Sequence, residues 1–244
     1  MSNAFFRIRQ NLIRERKYGE YFSIALGEMI LIALSIFLAL QVDNWNQKRQ
    51  EKKIIESYLM KIVNELNSDV QSIESLLEDR KQALIYTDSI LKYYRIGQIY
   101  DSKLFEKGYF SVFVESEFQP ITSAYESLKN SGYMKDLENP EIEEQIIQYY
   151  QLVENLIFVE DKFNNITQPV EISLAEKGFY NEYQSIFKWD NEDTIQFTIQ
   201  SMRSYPEYQA TFIKAKLFLE ELILDYSGLV EKAKETIELI DERD

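Results

Sequence analysis

The chain has 244 residues, 27 Lys/Arg against 41 Asp/Glu, a net charge of −14, and neither cysteine nor histidine. Without His there is no imidazole base, no Ser-His-Asp triad and no His metal ligand. Without Cys there is no disulfide, no thiolate nucleophile and no Cys-ligated zinc or iron–sulfur site. Only 7 Gly and 4 Pro among many Leu, Ile, Glu, Lys and Gln predict an all-α protein, long enough for one large or two small domains. No enzyme activity and no cofactor or metal is expected. The charge is uneven. Residues 1–53 hold nine Lys/Arg and five Asp/Glu, whereas residues 54–244 hold eighteen and thirty-six. A basic head on an acidic body predicts a lipid partner for the head and excludes nucleic acid as a partner of the body.

Residues 1–20 read as a basic amphipathic interfacial segment. Phe5, Ile8 and Leu12 fall on one helical face, and Arg7, Arg9, Arg14, Arg16 and Lys17 supply charge for an anionic leaflet. Residues 21–42, YFSIALGEMILIALSIFLALQV, contain 17 apolar residues and no Pro. As a helix they span ~33 Å, the thickness of a bilayer core. A cleaved signal peptide is the rival reading, because the strictly apolar run Met29–Leu40 is short. Phe37 before Ala39, then Gln41 and Val42, does not supply the small-residue pair such a cleavage needs. Trp45, Lys48 and Arg49, with Lys52 and Lys53, form an interfacial anchor on the far side. Five Lys/Arg before the span and four after it put the N-terminus in the cytoplasm. In a two-membrane bacterium that means a single-pass inner-membrane protein with a periplasmic C-terminal domain.

Within the span, Glu28 is the one ionisable residue. A carboxylate at mid-bilayer costs roughly 2.5–3.5 kcal/mol, so it either reaches the headgroups or packs against another helix. Ser23, Gly27, Leu31, Ser35 and Ala39 recur every four residues, and four of them are small. Such a stripe lets two helix backbones approach and predicts a homo-oligomer, with Glu28 close to the same face. Gly27–Asn46, GEMILIALSIFLALQVDNWN, resembles the signature of a family of small bacterial single-pass membrane proteins known only as a domain of unknown function. Gly27-Glu28, Ala39-Leu40-Gln41 and Asn44-Trp45-Asn46 carry the likeness. Ser123–Gly132 (SAYESLKNSG), Asn139 and Tyr149-Tyr150 are similar to that family's body. Asp43 departs from the Asn expected there. The resemblance implies an anchor with a helical domain and no catalytic residue.

From Glu28 to Ile96 there is neither Gly nor Pro. The span is therefore expected to run on, directly or after a kink, into a long juxtamembrane helix over 43–96 that ends at Gly97. Its apolar stripe reads Leu59, Ile62, Val63, Leu66, Val70, Ile73, Leu77 and Leu84. Asp69, Arg80 and Thr87 fall on seam positions, which argues against strict heptads and for a bundle helix. Residues 97–244 are expected to complete an elongated helical bundle.

Residues 97–120 are aromatic-rich. They read either as a loop tucked against the bundle or, through Tyr109, Phe110, Phe113 and Phe118, as a ligand or partner surface. A short helix over Ser123–Ser131 is predicted by a capping box of Ser123 with Glu126 and by Gly132 after its end. Asn139-Pro140 opens a helix carrying Ile142, Ile146, Tyr149, Tyr150, Val153, Leu156 and Ile157, ended or kinked by Pro169. Asp190-Asn191-Glu192-Asp193 opens another helix; it lacks the Gly and distal Glu of a calcium loop. The last helix starts near Pro206, with Phe212, Leu217, Phe218, Leu222, Ile223, Tyr226, Leu229, Val230 and Ile237 as its core. No second span follows in the sequence.

Three functions fit these residues. The first is a membrane-anchored interaction or scaffold protein that self-associates and meets a membrane or periplasmic partner. The second is an extracytoplasmic ligand-binding bundle, and the third is a subunit of an ion-coupled complex using Glu28.

Overall fold

Uninterrupted helix formers from Glu28 onward give one helix, α1, from Tyr18 to Ile96. It stops where the sequence first offers a residue suited to the left-handed region. Gly97 has φ of +80°, and its N–H donates to the Tyr93 carbonyl at 2.7 Å. Arg203 lies across this end, and its Nη2 donates to the Tyr94 carbonyl at 2.8 Å. The cation thus meets the carbonyl-rich, negative end of the helix.

The structure is a computed structural model. It describes residues 18–97, 104, 107, 111–113, 116–176, 203–204 and 206–243. Three more elements follow α1: α2 (Ser123–Ser131), α3 (Pro140–Glu176) and α4 (Pro206–Asp241), with a 3-10 turn over Tyr133–Asp136. The protein is all-α, with no strand among the described residues. The chain divides into two units, one up to Ser57 and one from Tyr58 to Asp244.

In the first unit, every side chain from Met29 to Trp45 is exposed. The large apolar ones among them are 51–65% accessible.

In the second unit the most deeply buried residues follow an alternation of three- and four-residue steps, flanked by further buried residues such as Val63, Val70, Tyr150 and Val159. On α4 the buried residues are Tyr208, Phe212, Ala215, Leu219, Leu222, Tyr226, Leu229, Ala233, Thr236 and Ile240, flanked by Thr211. On α3 they run Ile142, Ile146, Tyr149, Val153, Leu156, Glu160, Phe163 and Thr167. On α1 they run Leu59, Ile62, Leu66, Asp69 and Ile73, then Arg80, Ala83, Thr87 and Ile90. This is a 3.5-residue repeat, the signature of helices that wind around one another. Each fully buried Leu or Ile contributes about 2 kcal/mol by leaving water.

The polar residues that seemed to break the heptads on α1 are themselves in the seam. Asp69, Arg80 and Thr87 are 1%, 3% and 0% accessible. Beyond Ile73 the apolar stripe read from the sequence leaves the buried positions. Leu77 and Leu84 are half-buried, while Arg80, Ala83 and Thr87 take the core. Val70 and Ile73 are themselves buried, and the slip begins at the step from Ile73 to Leu77, where the next buried residue is Arg80. On α4 the same preference for large apolar residues misplaces Leu217, which is 60% accessible, and overlooks Ala215 and Ala233.

Side-chain contacts fix the directions. Tyr149 meets Asp69 and Phe163 meets Arg80, so α3 runs parallel to the second-unit part of α1. Lys234 pairs with Glu74 and Lys216 with Asp88, both at 2.7 Å, so α4 runs antiparallel to it. The chain must therefore return between α1 and α3, and residues 116–122 make part of that return.

Two local expectations change. Ser123 does not cap α2: Thr122 occupies the N-cap without a side-chain bond. The Ser123 hydroxyl donates instead to Glu65, whose carboxylate also accepts the Ala124 N–H at 2.9 Å. The anion a helix start favours thus comes from α1. The second change is that α3 does not end near Pro169 but runs through it to Glu176. Pro169 and Asn165, the residue whose carbonyl loses its helical donor, are both exposed. That carbonyl lies on the exposed side of the helix, while Phe163 and Thr167 hold the opposite face in the core. At the start of α3, Asn139 Oδ1 accepts the Glu141 N–H at 2.9 Å, as an N-cap does. Gly132 closes α2 at φ of +82°. The expected helix opening at Asp190–Asp193 lies outside the described residues.

Candidate functional site

Two places carry the residues with functional potential, one in each unit. In the first, α1 presents the small-residue stripe on its open surface. Nothing lies within 4 Å of where a Cβ on Gly27 would sit, and Ala39 is exposed. The Ser23 hydroxyl donates to the Gly19 carbonyl at 3.1 Å, and the Ser35 hydroxyl to the Leu31 carbonyl at 2.7 Å. Both hydroxyls are satisfied along their own helix. Glu28 is half-buried. Trp45 is 65% accessible, with the Arg49 guanidinium 5.8 Å from its ring centre. Lys48 is exposed on the same stretch. Arg7, Arg9, Arg14, Arg16 and Lys17 lie outside the described residues.

In the second unit, a polar cluster runs along the seam and fastens residues 116–122. This segment is neither helix nor sheet, so its buried backbone groups need partners from side chains. The Arg80 guanidinium donates to the Ser116 carbonyl. Glu160 accepts the Phe118 N–H at 3.1–3.2 Å, and Asp69 accepts the Ile121 N–H at 3.1 Å. Tyr150 donates its hydroxyl to the Ile121 carbonyl at 3.3 Å, and Asn164 donates to the Glu117 side chain at 3.0 Å. Asp69 and Arg80 stand eleven residues apart, about 16 Å along the helix. The few residues from Ser116 to Ile121 bridge that distance by running extended.

Both buried carboxylates have hydrogen-bond donors on each oxygen, whereas the Nε of Arg80 is buried without an acceptor. The second Asp69 oxygen takes the Tyr149 hydroxyl at 2.8 Å. Glu160 takes the Tyr226 hydroxyl and feels the positive charge of Arg80, which stacks over Phe163 at 5.6 Å. Burial raises the Asp69 and Glu160 carboxyls above their ordinary values. The bonds from Tyr149 and Ile121 to Asp69, and from Tyr226 and Phe118 to Glu160, oppose that rise. The Tyr149, Tyr150 and Tyr226 phenols are raised as well, by burial first and then by the neighbouring carboxylates. All three remain hydroxyl donors at neutral pH.

Chemically, this cluster holds backbone in place. Its carboxylate oxygens are occupied by the chain's own donors. Among the described residues, no group of three or more acidic side chains is placed to hold a metal ion. Phe113 and Phe118 are 9% and 3% accessible, and Phe113 meets Phe212 edge-to-face at 6.0 Å. Both aromatic side chains are part of the core. Tyr109 and Phe110 lie outside the described residues. Glu160 and Tyr150 as fasteners of a non-helical segment, Glu65 as partner of the start of α2 and Tyr149 as partner of Asp69 were not anticipated. The available signal was a charged residue recurring at seam spacing.

Compared with protein-family models, with curated proteins and with solved structures, the chain matches none.

Proposed function

We propose that this chain is a membrane-anchored helical interaction protein, fixed in a bilayer by residues 21–42 and presenting an acidic helical bundle on one side. What carries the reading is the stretch from Met29 to Trp45, exposed on all sides and apolar through Val42. The described residues contain one helix long and apolar enough to cross a bilayer. In water, a contiguous apolar surface of this size carries a large penalty that lipid removes. The likeness of Gly27–Asn46 to small bacterial single-pass proteins points the same way, as do the two basic flanks. The body binds a protein partner rather than turning over a substrate, since its buried acid and base groups are committed to its own backbone. The open stripe around Gly27 brings two copies together, with the N-terminus cytoplasmic and the bundle periplasmic.

Fractionation of cells expressing the full chain tests the anchor. The protein stays with membranes through an alkaline wash and is released by detergent. A Leu31→Arg/Leu34→Arg variant, costing roughly 2.5–3.5 kcal/mol per charge at mid-bilayer, loses that retention. Recovery of the unaltered chain in the soluble fraction would overturn the anchor. Crosslinking in membranes tests pairing: a dimer band that Gly27→Leu abolishes supports it, and monomer alone in both rejects it.

A further inference from the structure

We propose that the helical face formed by Trp45, Lys48, Arg49 and Lys52, and widened by Lys53, binds the phosphate groups of anionic phospholipids. At 100° per residue, the first four side chains fall within an arc of about 100°. All five are exposed. The acidic groups of this stretch point elsewhere. Asp43 lies on the opposite side and accepts the Gln47 amide at 3.1 Å, and Glu51 also lies outside the arc. Glu56 joins the arc's direction one turn beyond it. From Trp45 to Lys53, about two and a half turns, no acidic side chain falls within the arc.

The occupant follows from position and charge. If the hydrocarbon boundary falls near Val42, as the anchored reading on which this proposal rests requires, Trp45 lies ~5 Å outside it. Lys48 to Lys53 then lie ~9–16 Å outside it. That range covers the headgroup layer and about one Debye length of water. An indole with Arg49 against its ring suits the interface, and clustered cations there attract anionic headgroups. The acidic residues beyond position 54, thirty-six against eighteen basic, repel the same lipids, which leaves this face as the attractive surface of the described chain.

The test uses the full chain reconstituted into phosphatidylcholine vesicles containing a minor share of phosphatidylglycerol. The protein is extracted in mild detergent and its bound lipids are measured. The bound phosphatidylglycerol-to-phosphatidylcholine ratio exceeds that of the vesicle about threefold. It falls by about half when Lys48, Arg49, Lys52 and Lys53 are all changed to Gln, the basic residues before position 18 holding the remainder, and it falls to the vesicle ratio when reconstitution is done in concentrated salt. A variant carrying Lys48→Arg, Lys52→Arg and Lys53→Arg keeps the enrichment. Enrichment that the Gln changes leave undiminished, or none in the unaltered chain, overturns the proposal while leaving the anchor intact. Failure to enter pure phosphatidylcholine vesicles overturns the anchor and this proposal together.

Discussion

Two stretches of the same helix answer the same chemistry in opposite ways. From Met29 to Val42, α1 is apolar almost throughout, yet its large side chains are more than half accessible. From Leu59 to Ile90 it is studded with charge, yet Asp69, Arg80 and Thr87 are nearly inaccessible. Hydrophobicity does not decide which residues the second unit buries; position on a 3.5-residue repeat does. Once α3 and α4 wind against α1, whatever stands at a seam position goes inside, and a polar residue there must find partners. The return segment 116–122 supplies them to Asp69 and Arg80, because its backbone groups need partners just as much, whereas the Thr87 hydroxyl is buried without one.

Removing a seam charge gives the sharpest break in that comparison. Glu160→Ala leaves Arg80 buried without its counter-charge and the Phe118 N–H without an acceptor. A loss of about 3–5 kcal/mol is expected in denaturant unfolding of the detergent-solubilised chain. Asp69→Ala is expected to cost nearly as much, through the Ile121 N–H and the Tyr149 hydroxyl. If either variant unfolds like the unaltered chain, the seam does not hold the return segment.

A second test reads pH. Because Glu160 and Asp69 have raised carboxyl pKa values, the folded state holds their protons more tightly than the unfolded state. Their contribution is full below the ordinary carboxylate range and is lost as pH rises through the raised values. The stability advantage of the unaltered chain over Glu160→Gln therefore shrinks as pH rises from about 4.5, by at most about 1.4 kcal/mol per unit. A growing advantage would reverse the sign assigned to this carboxyl.

The end of α1 gives a smaller effect. Gly97→Ala places a methyl in the left-handed region, 2.5 Å from Arg203 Nη2. That atom ends a flexible side chain and can move, so the cost is about 1 kcal/mol. Smallest of all is Leu217→Ser. Despite its apolar side chain it lies outside the α4 seam at 60% accessibility, and it should shift stability by no more than about 0.5 kcal/mol.

Much of the fold was legible in the sequence because it was written in termini. The long Gly- and Pro-free run, Gly97 after it, Gly132 after α2 and Asn139-Pro140 before α3 set helix limits through local backbone preference. Register was harder. A reader who follows large apolar residues finds Val70 and Ile73 but passes over Asp69, goes on to Leu77 and Leu84 in place of Arg80 and Ala83, and at α4 takes Leu217 over Ala215. Small and polar seam residues carry no hydrophobic signal of their own. Nor could Ser123 announce that its hydroxyl bonds to Glu65 fifty-eight positions away rather than capping α2, since that depends on a contact only folding creates. The residues of the candidate membrane surface stand out in the sequence because lipid contact needs only a run of side chains, whereas the fasteners of 116–122 belong to separate helices.

The way residues 116–122 are tied has a bearing on how this protein can drift over generations. The seam side chains grip peptide groups, which every amino acid except proline presents alike. Glu117, bonded through its side chain to Asn164, is the least replaceable of the outward residues. Gln119 can be exchanged with little penalty. The burden of invariance thus falls on Asp69, Arg80 and Glu160, well away in sequence from the stretch they secure, and distant kin would betray their kinship in the helices sooner than in the crossing between them.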